Sequence, residues 1–433
     1  LSLPGARAET WAEKTRNQIA AHFAANQANR AHVGAIVGVI KDGQTYVWSF
    51  GEKVLGSGQA PDADTFFEIG SITKTFTGTL LGLEVARGRV TLDQKVKTLW
   101  PELDETSVGE ITLEELATHT AGLPRLPSNM PFTQADNPYV DYGADLLLDF
   151  LKTYKVEAGP HAYDYSNLGV GLLGYLLSEK LNKLNFPLYL KREIFSPLKL
   201  ESSFTVLGPA DLKRLAFGHT DFLEQTANWD FDVLAGAGAI KSTMNDMLAY
   251  AKAQLDPSND ELGRGIRLAQ QSRKDAGHGV TMGLGWHLAL LQGSTVLSHT
   301  GGTGGYRSNI VMDPAKKLAL VELSNTERTP ICLLAPVLDL PCRVPQWSEA
   351  STAETAALTG EYFASTLQMR ARVFLKKDYF AIELEGQQPQ RLWRVSEGKY
   401  LIHEGKVGIN FERDGSRLTL KQSNKTFLFD RTH

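Results

Sequence analysis

The chain reads as an α+β protein: one antiparallel sheet flanked by helices with an inserted all-α lobe, then a small C-terminal antiparallel β-barrel. Three observations predict this. Strand-like segments lie near both ends of the first 345 residues and helical patterns fill the space between, so the outer strands meet in one sheet. A polar, alanine-rich stretch over 346–357 follows a proline-bearing segment and marks a boundary. Beyond it short alternating strands follow one another, the pattern of a small barrel. A length of 433 residues suits a large domain plus a small one. We place these at 9–345 and 358–433, with 346–357 as the linker.

Taken in order, residues 9–27 form an opening amphipathic helix, followed by a strand over 34–40. Asp42-Gly43 makes a tight turn into a second strand over 45–50. The pattern turns helical over 72–87, and Gly88 closes it. The middle third alternates short helices with Gly- and Pro-rich loops such as 123–138. Ser242-Thr243-Met244-Asn245-Asp246 opens a helix to Gln254 as a capping box. Strands return over 284–291, 296–299, 306–312 and 318–323, the last two joined at Asp313-Pro314. In the tail, strands fall at 370–375, 379–384, 391–395, 400–403, 407–411, 417–421 and 426–429, with turns at Glu385-Gly386 and Asp414-Gly415.

Composition narrows the function. Apolar content of 42% and charge of 22% are ordinary for a globular fold. A net charge of −4 carries no nucleic-acid footprint. No apolar run reaches the length of a bilayer span; the run at 168–177 is among the longest and is too short. Ala6-Arg7-Ala8 has the small-x-small form of a signal-peptidase site that would leave Glu9 first. Cys332 and Cys342 are equally consistent with a disulfide and with two buried thiols. No His, Cys, Asp or Glu group has metal-ligand spacing, and no glycine-rich loop follows a strand in phosphate-binding form, so neither metal nor cofactor is expected.

Three strings carry chemistry. In Ser71-Ile72-Thr73-Lys74 one helical turn puts hydroxyl and amine on the same face, so a buried amine can take the hydroxyl proton. Ser71 follows Gly70 at a helix N-terminus, where its own N–H can donate to an oxyanion; by itself the position also suits an N-cap. The same spacing at Ser196-Pro197-Leu198-Lys199 reads as a surface turn. The other strings, Tyr165-Ser166-Asn167 and His299-Thr300-Gly301, each occur once. Asn167 also suits the cap of the apolar helix after it, and His119 reads as structural, bonding backbone near the turn at Gly122.

In this order the strings resemble the serine β-lactamase and penicillin-binding protein superfamily, nearest its class C β-lactamase branch with D-aminopeptidase and esterase relatives. The resemblance extends over Thr65-Phe66-Phe67-Glu68-Ile69-Gly70, Leu116-Ala117-Thr118-His119-Thr120-Ala121-Gly122-Leu123-Pro124 and Gly236-Ala237-Gly238-Ala239-Ile240-Lys241-Ser242-Thr243. It implies Ser71 as nucleophile, Lys74 and Tyr165 as proton-transfer groups, and Asn167 as a partner of Lys74 and the substrate amide. Which of Lys74 and Tyr165 is the acylation base stays open. His299, Thr300 and Gly301 would line the substrate pocket, and the N–H groups of Ser71 and Gly302 would form the oxyanion hole. Histidine replaces the usual lysine at 299. A neutral imidazole there, gaining charge near pH 6.5 if unperturbed, should bind a substrate carboxylate less strongly; it could instead bond Tyr165.

The implied activity is cleavage of β-lactam or D-amino-acid amide bonds through an acyl-enzyme. A carboxylesterase, or a penicillin-binding sensor that acylates without turnover, are the alternatives. The implied substrate is a small molecule or a peptidoglycan fragment, in a periplasmic or secreted location. The tail resembles the lipocalin-like barrels that follow the hydrolase domain in some D-aminopeptidase-like relatives; it is a structural addition or shapes the substrate entrance.

Overall fold

A computed structural model describes residues 9–402 and 406–432. Ala6-Arg7-Ala8 and His403 lie outside the described residues. The chain divides into two compact units: one holds residues 9–16, 33–219 and 225–327, the other 17–32, 220–224 and the residues from 328 onward.

The first helix, Trp11–Ala28, opens at a capping box in which Glu13 Oε2 accepts from the Thr10 amide at 2.8 Å. Strands β1 (Gly34–Lys41) and β2 (Gln44–Gly51) follow. The hairpin between them is a two-residue turn with positive φ at both Asp42 (50°) and Gly43 (74°), and Lys41 pairs with Gln44. That twist matches the strands it joins. Three two-residue strands, β3 (Phe67–Glu68), β4 (Ser203–Phe204) and β5 (Lys241–Ser242), make a small separate sheet.

The principal sheet is completed by β6 (Lys274–Gly277), β7 (Val280–Met282), β8 (His287–Leu291), β9 (Ser294–Gly302), β10 (Arg307–Asp313) and β11 (Leu318–Ser324). Its eight strands run in the order β2-β1-β11-β10-β9-β8-β7-β6, so β1 pairs with β11 and both ends of this region meet in one sheet. The sequence reading starts the β8 strand three residues early, at 284, and omits the β6–β7 hairpin, whose strands of four and three residues are too short for a period to register.

The helix Thr73–Ala86 runs through the core, buried from Thr73 to Glu84. It touches the helix Glu261–Ala269 at Gly82 and Gly265, where a Cβ on Gly265 would lie 2.6 Å from the Leu83 amide nitrogen. Backbones can meet this closely only without side chains. The buried aliphatic residues of the sheet, Ile36, Ile310, Met312, Val321 and Leu323, belong to the same apolar cluster as Phe76 and Leu80 of this helix.

In the other unit, strands β12 (Gly360–Ala364), β13 (Met369–Lys376), β14 (Tyr379–Leu384), β15 (Gln390–Arg391), β16 (Trp393–Ser396), β17 (Lys399–Ile402), β18 (Val407–Phe411), β19 (Arg417–Gln422) and β20 (Lys425–Arg431) form a nearly closed barrel. Its two edges, β15 and β16, are separated in sequence by Leu392 alone; β15 bonds β14 and β16 bonds β17. Near-closure leaves only these two short strands as edges. Tyr362, Phe380, Tyr400 and Phe411 stack among aliphatic residues in its core, and Cys332 and Cys342 form a disulfide. The sequence reading omits β12, and the stretch 346–357 carries most of a helix, Thr352–Leu358.

One residue of the principal sheet is out of keeping with its surroundings. Glu322 on β11 lies between Val37 and Asn309, is buried, and accepts one hydrogen bond, from Asn309 Nδ2 at 3.2 Å. Burial pushes its pKa up to about 8. The folded protein therefore keeps a proton that the unfolded chain releases near 4.5, and the associated stability, complete below 4.5, declines as pH rises towards about 8. The slope approaches ~1.4 kcal/mol per pH unit. Glu322→Gln should flatten this dependence; denaturant titrations at pH 5 and 8 measure it, and equal pH slopes in the two proteins would refute it.

Candidate active site

Ser71 occupies a 3-10 turn, Gly70–Ile72, that leads into the helix Thr73–Ala86, so the helix proper begins two residues after it. Lys74 lies one turn on, fully buried, and its Nζ is 3.0 Å from Ser71 Oγ. The same amine donates to Asn167 Oδ1 at 2.8 Å and to the Ala237 carbonyl at 2.7 Å. Burial, reinforced by the charge of Arg125, pushes the Lys74 pKa well below its ordinary 10.5. Two of the three partners, a carboxamide oxygen and a carbonyl, only accept. A neutral amine satisfies both with its two protons and offers its lone pair to the Ser71 hydroxyl.

Asn167 uses its other face on Tyr139, with Nδ2 donating to the phenol oxygen at 2.9 Å. The cap of the helix Asn167–Tyr175 is Ser166, whose Oγ accepts from the Gly169 amide, rather than Asn167. Tyr165 stands beside Ser71, and its ring centroid lies 4.9 Å from Lys74 Nζ. Burial is the main cause that raises its pKa, so the phenol keeps its proton.

Backbone stitching holds this segment. The Asp164 amide donates to the His119 carbonyl at 2.8 Å, Ser166 Oγ to the Pro124 carbonyl at 2.7 Å, and the Asn167 amide to the Arg125 carbonyl at 3.0 Å. His119, in the left-handed region at φ 59°, accepts from the Ser166 amide through Nδ1 at 3.1 Å, not from the turn at Gly122. Its ring also lies on Tyr165, with centroids 4.5 Å apart. Sequence reasoning misses that contact.

Strand β9 forms the opposite wall. A Cβ on Gly70, whose φ is +47°, would lie 2.7 Å from the Gly302 nitrogen, and one on Gly301 would collide with the Ile69 carbonyl. The backbones of 69–70 and 301–302 are thus in direct contact, which brings Gly302 to the segment that carries Ser71. Thr300 is exposed.

His299 departs from expectation. It is 2% exposed, and its Nδ1 donates to the Thr300 carbonyl at 2.7 Å. Burial chiefly, then the neighbouring His287 and Lys74, hold its pKa well below 6.5, so the expected gain of charge near 6.5 does not occur. With Nδ1 carrying the proton, Nε2 presents a lone pair, and it has no hydrogen-bond partner among the described residues. Its ring lies 5.1 Å from His287 and 6.3 Å from Tyr165. Tyr163 bonds His287 Nε2 at 3.0 Å, whereas Tyr165 is the tyrosine beside Ser71 and Lys74. Ser196 and Lys199 are exposed, apart from this cluster.

The structure therefore brings together Ser71, Lys74, Tyr165 and Asn167, with β9 alongside. Sequence reasoning misses Tyr139, the Ala237 carbonyl and Arg125. Arg125 directly follows the quoted segment ending at Pro124, and Ala237 lies inside another quoted segment; Tyr139 carries no local signal. Among the described residues no His, Cys, Asp or Glu group could hold a metal, and no helix is long and apolar enough to cross a membrane.

The chain is similar to known proteins in sequence and in fold. The family model described as Beta-lactamase matches residues 19–332. A beta-lactamase of Escherichia coli (strain K12) is 30% identical over an alignment of 327 residues that covers 67% of this chain and 84% of that protein. A class C beta lactamase from Rhodobacter sphaeroides superposes with a TM-score of 0.65 at 26% identity, over 72% of this chain and 95% of its own. The Beta-Lactamase/D-Alanine Carboxypeptidase from Pseudomonas syringae shares the fold, with a TM-score of 0.67 at 24% identity over 76% and 99% of the two chains.

The approach of Gly70 to Gly302 can be tested directly. Gly70→Ala adds a Cβ where φ is positive and the strand backbone stands 2.7 Å away. It should lower the melting temperature and slow labelling of Ser71 by a fluorophosphonate about a hundredfold, as a displaced wall would. Melting and labelling equal to the parent would show that the approach is not required.

Proposed function

The chain belongs to the beta-lactamase family and is a serine hydrolase, and we propose that it cleaves β-lactam or D-amino-acid amide bonds through an acyl-enzyme at Ser71. The observation that carries this reading is the buried Lys74 amine, held by Asn167 and Ala237 with its remaining position at Ser71 Oγ. In this scheme Ser71 Oγ attacks the acyl carbon while its proton passes to Lys74. The N–H groups of Ser71 and Gly302 receive the oxyanion. As the C–N bond breaks, the Tyr165 phenol gives its proton to the leaving nitrogen and is reprotonated from Lys74. Water then attacks the ester, and the proton returns by the same groups to Ser71.

The depressed Lys74 pKa supports the amine, rather than a tyrosinate, as the acylation base. Esters are a second reading, favoured by the neutral His299, which supplies no cation for a substrate carboxylate. Turnover of nitrocefin, a D-alanyl dipeptide, a D-amino-acid amide and a p-nitrophenyl ester separates these classes; a one-shot burst without turnover would mark the penicillin-binding sensor. We further propose export to a periplasmic or extracellular space, supported by the Cys332–Cys342 disulfide.

Ser71→Ala should abolish covalent labelling by a reporter penicillin or fluorophosphonate, and Lys74→Ala and Tyr165→Phe should each lower the acylation rate a hundredfold or more. Label that persists in Ser71→Ala overturns the assignment. With its pKa lowered, Lys74 is a free amine above that value and loses this form as pH falls through it. The acylation rate should therefore level off well below pH 10.5; a continuous tenfold rise per pH unit up to pH 10 would contradict the role of Lys74.

We also propose that residues 358–433 fold as a domain separate from 9–345, with 346–357 as the linker, inside a compact unit that also takes in 17–32, 220–224 and 328–357. The core of the barrel supports this, since its buried residues run from Leu358 to Phe429. Expressed alone, the segment 358–433 should unfold cooperatively on heating; a chain without a transition would refute the boundary.

A further inference from the structure

The charge inventory around Ser71 leaves one function without an owner. His299, on the wall made by β9, is buried, with Nδ1 donating to the Thr300 carbonyl and Nε2 presenting a lone pair that repels a carboxylate. Lys74 is buried and committed to Asn167, Ala237 and Ser71. Arg307, beside Gly302, gives Nη1 to the carbonyls of Thr303 and Tyr306 at 3.0 and 2.9 Å.

Arg125 is different. Its carbonyl accepts the amides of Asn167 and Leu168 at 3.0 and 3.3 Å, which ties its backbone to the string that carries Tyr165. Its guanidinium carbon stands 5.2 Å from the centroid of the Tyr165 ring, on an exposed residue. Among the described residues it forms no ion pair and no side-chain hydrogen bond; the Tyr165 ring is its recorded partner. Its positive charge reaches Lys74, Tyr139 and His119, so it lies near enough to act on the centre of the site.

We propose that Arg125 is a specificity-determining residue, binding a carboxylate of the acyl donor at the mouth of the site in place of the cation absent at position 299. A guanidinium offers a fork of N–H donors that matches a carboxylate. A cation that rests on an aromatic face can turn to an incoming anion without breaking an ion pair first. The inference rests on the serine-hydrolase reading of the same site and assigns its preference among substrates.

The test compares acyl donors with and without a carboxylate: nitrocefin and p-nitrophenyl hydrogen glutarate against p-nitrophenyl acetate. In Arg125→Gln, kcat/KM for at least one anionic donor should fall about tenfold relative to the acetate, mostly through KM, and Arg125→Lys should restore part of the ratio. In the parent the anionic preference should shrink as salt is raised, since the contact is exposed. An unchanged ratio for both anionic donors overturns the proposal. So does an equal loss on all three, which would mean that Arg125 acts on Tyr165 or Lys74 instead. Absence of turnover and of Ser71 labelling in the parent itself would overturn the serine-hydrolase reading, and this inference with it.

Discussion

The arrangement hangs on one buried amine. Lys74 has no carboxylate within ion-pair distance among the described residues, and an uncompensated ammonium in such a place costs several kcal/mol. The structure meets that cost by weakening the hold of the amine on its proton and by giving it two fixed acceptors, Asn167 Oδ1 and the Ala237 carbonyl. These come from chain segments 93 and 163 residues away. A helix that carried Lys74 into an apolar core without them would be destabilised, so the local Ser-x-x-Lys string is workable only within this tertiary setting. Reactivity and packing have one source here. The burial that lowers the Lys74 pKa comes with the same helix that carries Phe76 and Leu80 into the core.

Two kinds of backbone contact then fix the walls. On one side the segments 119–125 and 164–168 exchange main-chain and side-chain hydrogen bonds, so Tyr165 enters the site from a clamped backbone. On the other, glycines at 70 and 301 let the turn at Ser71 touch the end of β9 with no side chain between. Clamping the tyrosine and drawing in the strand both reduce the freedom of reacting groups before substrate arrives, which lowers what must be ordered later. Some polarity is left unsatisfied in return. His119 Nε2 and His299 Nε2 are buried without partners among the described residues, as expected near a site tuned for reaction rather than for maximal stability.

Features governed by a few adjacent residues were legible in the sequence. The Asp42-Gly43 hairpin, the Thr243 cap of the helix Met244–Leu255 and most barrel strands depend on local turn chemistry and on alternation, and they appear where those signals lie. The hydroxyl–amine pair of Ser71 and Lys74 is likewise one turn of helix. What escaped the sequence depends on convergence from afar. Tyr139 meets Asn167 across 28 residues, and Ala237 offers a carbonyl, which every residue type possesses. The protonation of His299 could not be read because it is set by how deeply β9 is buried and by His287 on the neighbouring strand. The β6–β7 hairpin escaped for another reason: its pairing is made by backbone, and its strands of four and three residues are too short for a period to register.

Considered together, the protonation states give the site a coherent electrostatic design. Burial drives Lys74, His119 and His299 towards their uncharged forms and keeps the proton on Tyr165. Under the proposed mechanism, charge then appears in two places only, as an ammonium at Lys74 and as an oxyanion on the acyl group. The ammonium forms between acceptors already in position, at a moment when the nearby oxyanion offsets it. The cost of charging a buried amine is thus confined to the transition state, where the opposite charge coexists with it, and is absent from the resting protein. A permanent cation at 299 would upset this balance, since it would hold Lys74 further below its ordinary range and attract anions to the interior. At the exposed position of Arg125 the same charge sits beyond the desolvated region, where water screens it and where an incoming carboxylate arrives first.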